Sequence, residues 1–140
     1  MQYVLTSKQI SGEIIDDELI VIDLDRGLYF TSKGAALPLW TSMLAGCDVD
    51  ALKAELATRS DDPSQFIAAV DIWFATFVEQ GILRPIEGIS APLPDGFLEG
   101  VSARELHAPT AEVHRDLADI LIYDPVHDFE EIGWPKQPKA

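Results

Sequence analysis

A periodic, apolar-rich stretch runs from the N-terminus to about residue 85 and then breaks into Pro85, Gly88, Pro92, Pro94, Gly96 and Gly100. Proline has no backbone N–H and glycine loses the most conformational freedom on folding, so neither sustains a helix interior or a central strand at that density. The break divides the chain into a domain at 1–85, a Pro/Gly-rich linker at 86–103 and an acidic-apolar tail at 104–140. A chain of 140 residues suits one core better than two.

Within the first part, Gly12 to Asp16 and Glu18 to Leu24 carry Ile14, Ile15, Leu19, Ile20, Val21 and Ile22 between acidic or turn residues, which predicts two short strands. Asp25-Arg26-Gly27 is a turn in which glycine supplies positive φ, and Leu28-Tyr29-Phe30-Thr31 is again β-prone, so Leu19 to Thr31 reads as a hairpin. Ser32 offers an N-cap to a helix over about 33–45, with Leu37, Trp40 and Leu44 on one face and Gly46 as the stop. Asp48 caps a second helix reaching about Arg59, in which Val49, Leu52 and Leu56 form the apolar stripe. A third helix starts near Asp62-Pro63-Ser64, carries Phe66, Val70, Trp73, Phe74, Phe77 and Val78, and ends at Gly81. Ile82-Leu83-Arg84 then reads as a short extended segment. The predicted fold class is α+β, a small antiparallel sheet followed by a three-helix bundle in winged helix-turn-helix order, with a C-terminal extension.

Charge and motifs exclude several classes of function. Asp and Glu number 24 against 10 Lys and Arg, a net charge of −14, which opposes binding to a polyanion. The third helix, over 62–80, holds Asp71 and Glu79 and no Lys or Arg, so it lacks the phosphate contacts of a recognition helix. A winged-helix transcriptional regulator is the weaker alternative on this fold. No basic stretch followed by an apolar run opens the chain and no long apolar span occurs, which leads to the expectation of a cytoplasmic protein without a membrane partner. Cys47 is the only cysteine, so no intrachain disulfide forms. His107, His114 and His127, with Asp124 and Asp128, have ligand chemistry, but their spacings fit no helix-face or finger pattern, and no metal or cofactor is expected. No nucleophile elbow, phosphate loop or dinucleotide fingerprint is present.

The order and spacing of several segments carry a resemblance. These are the hairpin turn Arg26-Gly27-Leu28-Tyr29-Phe30, the small-residue entry Gly34-Ala35-Ala36-Leu37 before Trp40, the short helix after an acidic cap, and the closing Phe77-Val78-Glu79-Gln80-Gly81-Ile82-Leu83. Over Glu13 to Leu83 the chain resembles the PqqD family. The resemblance implies a peptide-binding chaperone, not itself a catalyst, that holds the leader of a ribosomally made precursor peptide and presents it to a modifying enzyme, typically a radical SAM enzyme. It also implies that the leader adds as a strand to the sheet edge and lays apolar side chains against the third helix, a β-augmentation. On this sequence that places the edge at Leu28, Tyr29, Phe30 and Thr31, and the groove wall at Val70, Trp73, Phe74 and Phe77.

The tail extends beyond a minimal member of that family. A helix from Thr110 is expected within a mostly polar run, followed by Ile120, Leu121, Ile122, Tyr123, Phe129, Ile132 and Trp134. A solvating tail does not carry so many large apolar side chains. Three arrangements account for them: packing on the chain's own domain, docking of Ile120, Ile122, Tyr123, Phe129 and Trp134 onto a partner, or occupation of the peptide groove in cis or by exchange between two chains of a homodimer. The second would make the protein an assembly subunit whose tail is the working part. A flexible linker of about 18 residues reaches roughly 23 Å, enough for occupation in cis.

Overall fold

A computed structural model describes residues 1–115. The order of elements is β1 (Gln2–Leu5), β2 (Ile10–Ile15), β3 (Glu18–Asp23), β4 (Leu28–Lys33), α1 (Ala36–Leu44), α2 (Val49–Ala57), α3 (Pro63–Glu79), β5 (Leu83–Ile86) and β6 (Thr110–His114). Two antiparallel sheets result: β1 pairs with β5, and a four-stranded sheet runs in the order β2-β3-β4-β6. The fold is α+β.

The β2–β3 turn is made by Asp16 and Asp17, both at positive φ (53° and 63°), the backbone of a tight two-residue hairpin loop that aspartate tolerates. The next turn is organised by Asp23. Its buried carboxylate accepts the backbone N–H groups of Asp25 at 3.0 Å and Arg26 at 3.3 Å and meets the Arg26 guanidinium at 2.6 Å. Alternation then does the rest: Leu19, Val21 and Asp23 on β3 and Leu28, Phe30 and Ser32 on β4 all point to the buried side.

Ser32, expected as a helix N-cap, lies instead at the end of β4. The helix begins later, after Gly34 at φ 69°, because the chain must leave the sheet before it can coil; the N-cap position is Ala35, with no side-chain cap. Leu37 and Trp40 are buried as expected, whereas Leu44 is 51% exposed. The acidic caps do form: the Asp48 carboxylate accepts Ala51 N–H at 2.9 Å, and that of Asp62 accepts Gln65 N–H at 3.2 Å ahead of Pro63.

β1 was not foreseen. It pairs Tyr3 with Pro85 and Leu5 with Leu83, so the extended segment after α3 becomes half of a ribbon, and Tyr3 stacks on Phe74 at 4.8 Å. The segment expected as a helix from Thr110 is also a strand, β6. Pro109 biases the preceding residue toward extended backbone, and Thr-Ala-Glu-Val-His alternates polar and apolar with a period of two.

The core is centred on Phe77, which contacts Phe30 of β4 at 5.2 Å, Trp40 of α1 at 5.9 Å and Trp73 of its own helix at 4.9 Å between ring centres. Among the described residues, the buried hydrophobic core runs from Ile10 to Leu83. Past Leu83, Pro109 is the single buried residue among those described. The segment between β5 and β6 is nevertheless laid along the body: Ala91 N–H donates to the Gly46 carbonyl at 2.9 Å, the buried Cys47 thiol faces the Pro92 carbonyl at 3.7 Å, and Arg104 pairs with Asp17.

Candidate functional site: the β4 edge

The strand Leu28 to Thr31, expected as an open edge, is an interior strand. β6 runs antiparallel beside it, with Tyr29 opposite His114, Phe30 opposite Val113, Thr31 opposite Glu112, Ser32 opposite Ala111 and Lys33 opposite Thr110. Because side chains alternate across a pleated sheet, these five pairs divide between two faces. On the outer face the Tyr29 and His114 rings stack at 4.4 Å and 11°, and Thr31 Oγ1 lies 3.4 Å from His114 Nε2. On the inner face Ala111 and Val113 are partly buried against the core.

The strand is delivered to this position by a second contact. Ala35 N–H donates to the His107 carbonyl at 2.8 Å, and a Cβ on Gly34 would lie 2.7 Å from that same oxygen and 3.0 Å from the Ala108 carbonyl. Only glycine permits this approach, and its φ of 69° suits glycine for the same reason. At the far end, Arg115 lies 3.5 Å from Gln80 at the C-terminus of α3.

The residues expected to wall the groove have a different place. Val70, Trp73, Phe74 and Phe77 are each at most 2% exposed and form the core, as do Leu28 and Phe30. Trp73 Nε1 donates to the buried Ser32 Oγ at 3.0 Å, tying α3 to β4. The β4 side chains that face outward are Tyr29 and Thr31, half-buried, and Lys33, exposed. The apolar surface left on α3 is Ile72, 67% exposed, and Val78, 37% exposed. Ile120, Ile122, Tyr123, Phe129 and Trp134, expected to dock a partner, lie outside the described residues, as do His127, Asp124 and Asp128.

Among the described residues, cavities also open elsewhere on the surface. One of about 460 Å³ lies between the α2–α3 turn and Leu106-His107-Ala108, and is lined by Arg59, Asp61, Asp62 and Phe66. A second, of about 430 Å³, lies between Tyr3, Phe74 and Val78; beside it Lys53 contacts Asp71 at 2.6 Å and Asp50 at 3.4 Å. The Asp71 hydrogen bond raises the Lys53 pKa above its usual 10.5, so that ammonium stays charged and paired rather than available as a base. A third, of about 400 Å³, joins Ile14 of β2 to Pro38 and Thr41 of α1 and to Phe97. Among the described residues no cluster of His, Cys, Asp and Glu could hold a metal ion, and no helix is long and apolar enough to cross a membrane.

Sequence reasoning missed Ala111, Val113 and His114 as members of this site, although the period-two alternation after Pro109 was there to read. Comparison with family models, with characterised proteins and with solved structures returned no match.

Proposed function

We propose that this chain is a peptide-binding protein of the PqqD kind, whose β2 to α3 segment is arranged as a winged helix-turn-helix. It takes up an extended segment at the β4 edge. In this reading the client is the leader of a precursor peptide, the catalyst is a separate modifying enzyme, of which a radical SAM enzyme is one example, and this chain contributes recognition alone.

The observation that supports this reading is the β4–β6 pairing. A strand edge that accepts five residues from a segment contributing no fully buried side chain is an edge whose affinity comes from main-chain hydrogen bonds, which any extended peptide can supply. Two further features agree with it. The outer side chains Tyr29 and Thr31 are half-buried and contact the added strand, so they can select it. The net charge of −14 speeds encounter with a basic peptide and opposes nucleic acid.

The test is calorimetric titration of the full chain with the short peptides encoded beside its gene. Binding with a dissociation constant in the micromolar range or better, weakened at least ten-fold by Tyr29→Asp with an unchanged far-ultraviolet circular dichroism spectrum, is the expected result. Unchanged affinity in Tyr29→Asp places the peptide elsewhere, and a salt-sensitive shift of duplex DNA would favour the regulator instead.

A further inference from the structure

We infer that β6 is a built-in competitor for the β4 edge, displaced by an incoming peptide that repeats its side-chain pattern. The inference rests on the peptide-binding reading and adds to it both a regulation and a class of ligand.

The argument begins with what β6 does not do. It adds no fully buried side chain to the core: its inward residues, the small Ala111 and the β-branched Val113, are only partly buried against it. Its outward residues are Thr110, Glu112 and His114; Thr110 and Glu112 are exposed and His114 is half-buried. A strand of this kind is held mainly by its backbone ladder and by being tethered. Residues 87–109 connect it to β5, and a tether of that order holds a segment at an effective concentration of about millimolar. A ligand that binds the edge with intrinsic affinity well below that concentration therefore replaces β6, whereas weaker, unspecific segments are shut out. The tether also keeps the ladder donors and acceptors of β4 paired in the resting protein, which blocks edge-to-edge aggregation.

β6 also states what the edge accepts. Opposite Ser32 and Phe30 it places a small residue and a β-branched one, and next to the latter, opposite Tyr29, it places a ring that stacks. The favoured ligand is an extended peptide with a small side chain and a β-branched side chain at alternate positions, followed directly by an aromatic or imidazole ring. Opposite Lys33 and Thr31 the requirement is loose, because Thr110 and Glu112 are exposed.

The test uses a fluorescein-labelled peptide of residues 107–115 titrated against the full chain in three forms. In A111P/E112P, two consecutive prolines remove a ladder donor whichever of the two N–H groups faces β4. In T31C/E112C, a disulfide across a directly opposed pair locks β6 in place under oxidising conditions and frees it under reducing ones. The expected result is at least ten-fold tighter peptide binding by A111P/E112P than by the natural sequence, no binding by oxidised T31C/E112C, and recovery on reduction. Equal binding by the natural sequence and A111P/E112P overturns the competitor while leaving the peptide-binding edge intact. No binding by a folded A111P/E112P overturns both. Should that variant not fold, equal binding by oxidised and reduced T31C/E112C overturns the competitor by itself.

Discussion

Trp73 and Ser32, which are 41 positions apart, are joined in the core by a hydrogen bond of 3.0 Å from the indole Nε1 to the hydroxyl Oγ. Ser32 is 1% exposed and Trp73 is 2% exposed, so no water replaces the acceptor if it is removed. An indole N–H buried without a partner costs about 1–3 kcal/mol. Ser32→Ala is therefore expected to lower unfolding stability by about that amount in a urea titration followed by tryptophan fluorescence. In a double-mutant cycle with Trp73→Phe the two effects should be strongly non-additive; additivity would mean that the bond contributes nothing.

Gly12 governs a second contact. A Cβ built there lies 2.6 Å from Trp40 Nε1 and 2.7 Å from Cε2, against the body of a side chain that is itself 2% exposed. Trp40 Nε1 is buried and has no hydrogen-bond partner among the described residues, so the ring is held there by shape alone. Gly12→Val forces the ring or the strand to move, and overpacking of this kind costs about 1–3 kcal/mol. Thermal unfolding of the variant should show a correspondingly lower midpoint.

Gly34 controls the delivery of β6. Gly34→Ala strains a residue at φ 69° and drives its methyl into the His107 carbonyl, which is the acceptor for Ala35 N–H. The expected outcome is a local loosening: amide hydrogen exchange at 110–114 should accelerate at least ten-fold while amides of α3 keep their protection. Uniform acceleration through the chain would show instead that the latch and the core open together.

Asp48 sets part of the pH dependence. Its carboxyl is held below the ordinary 3.8 first by its hydrogen bond with the N-terminal ammonium and next by the Ala51 N–H. A carboxyl whose folded pKa is depressed contributes stability that is complete above pH 3.8 and is lost as pH falls through the lower folded value. The ammonium is raised above its ordinary 8.0 by the same contact, so its contribution is complete below pH 8.0 and disappears as pH rises through the folded value. Asp48→Asn keeps a capping side chain and removes the charge. Its stability profile should therefore be flatter at both ends; an unchanged acid limb would refute the assignment.

Phe30 shows why burial has to be known before a binding test is chosen. Phe30→Asp places a charge at a position with 0% exposure and is expected to unfold the chain, so it reports on folding rather than on peptide recognition. Tyr29, half-buried and stacked on His114, is the position whose substitution reads the edge.

Local signals fixed in the order of residues determined most of the elements. A run of apolar, mostly β-branched residues defines β3, aspartates at Asp48 and Asp62 cap α2 and α3, and Pro63 and Gly81 bound α3, because each of these effects acts within a few residues along the chain. Ser32 was misread for the same reason: a hydroxyl before a helical pattern looks like a cap until the partner is Trp73, far away in sequence. Which strand lies beside which is another matter. β1 finds β5 across most of the chain, and β6 reaches β4 past three helices and a Pro/Gly-rich linker. A free ladder edge is satisfied by any extended segment that can reach it, and nothing in Leu28 to Lys33 records which segment that will be. Whether Tyr29 and Thr31 meet a foreign peptide or the chain's own His114 was decided only by the tertiary structure, because the tether supplies a concentration of partner that no local pattern encodes.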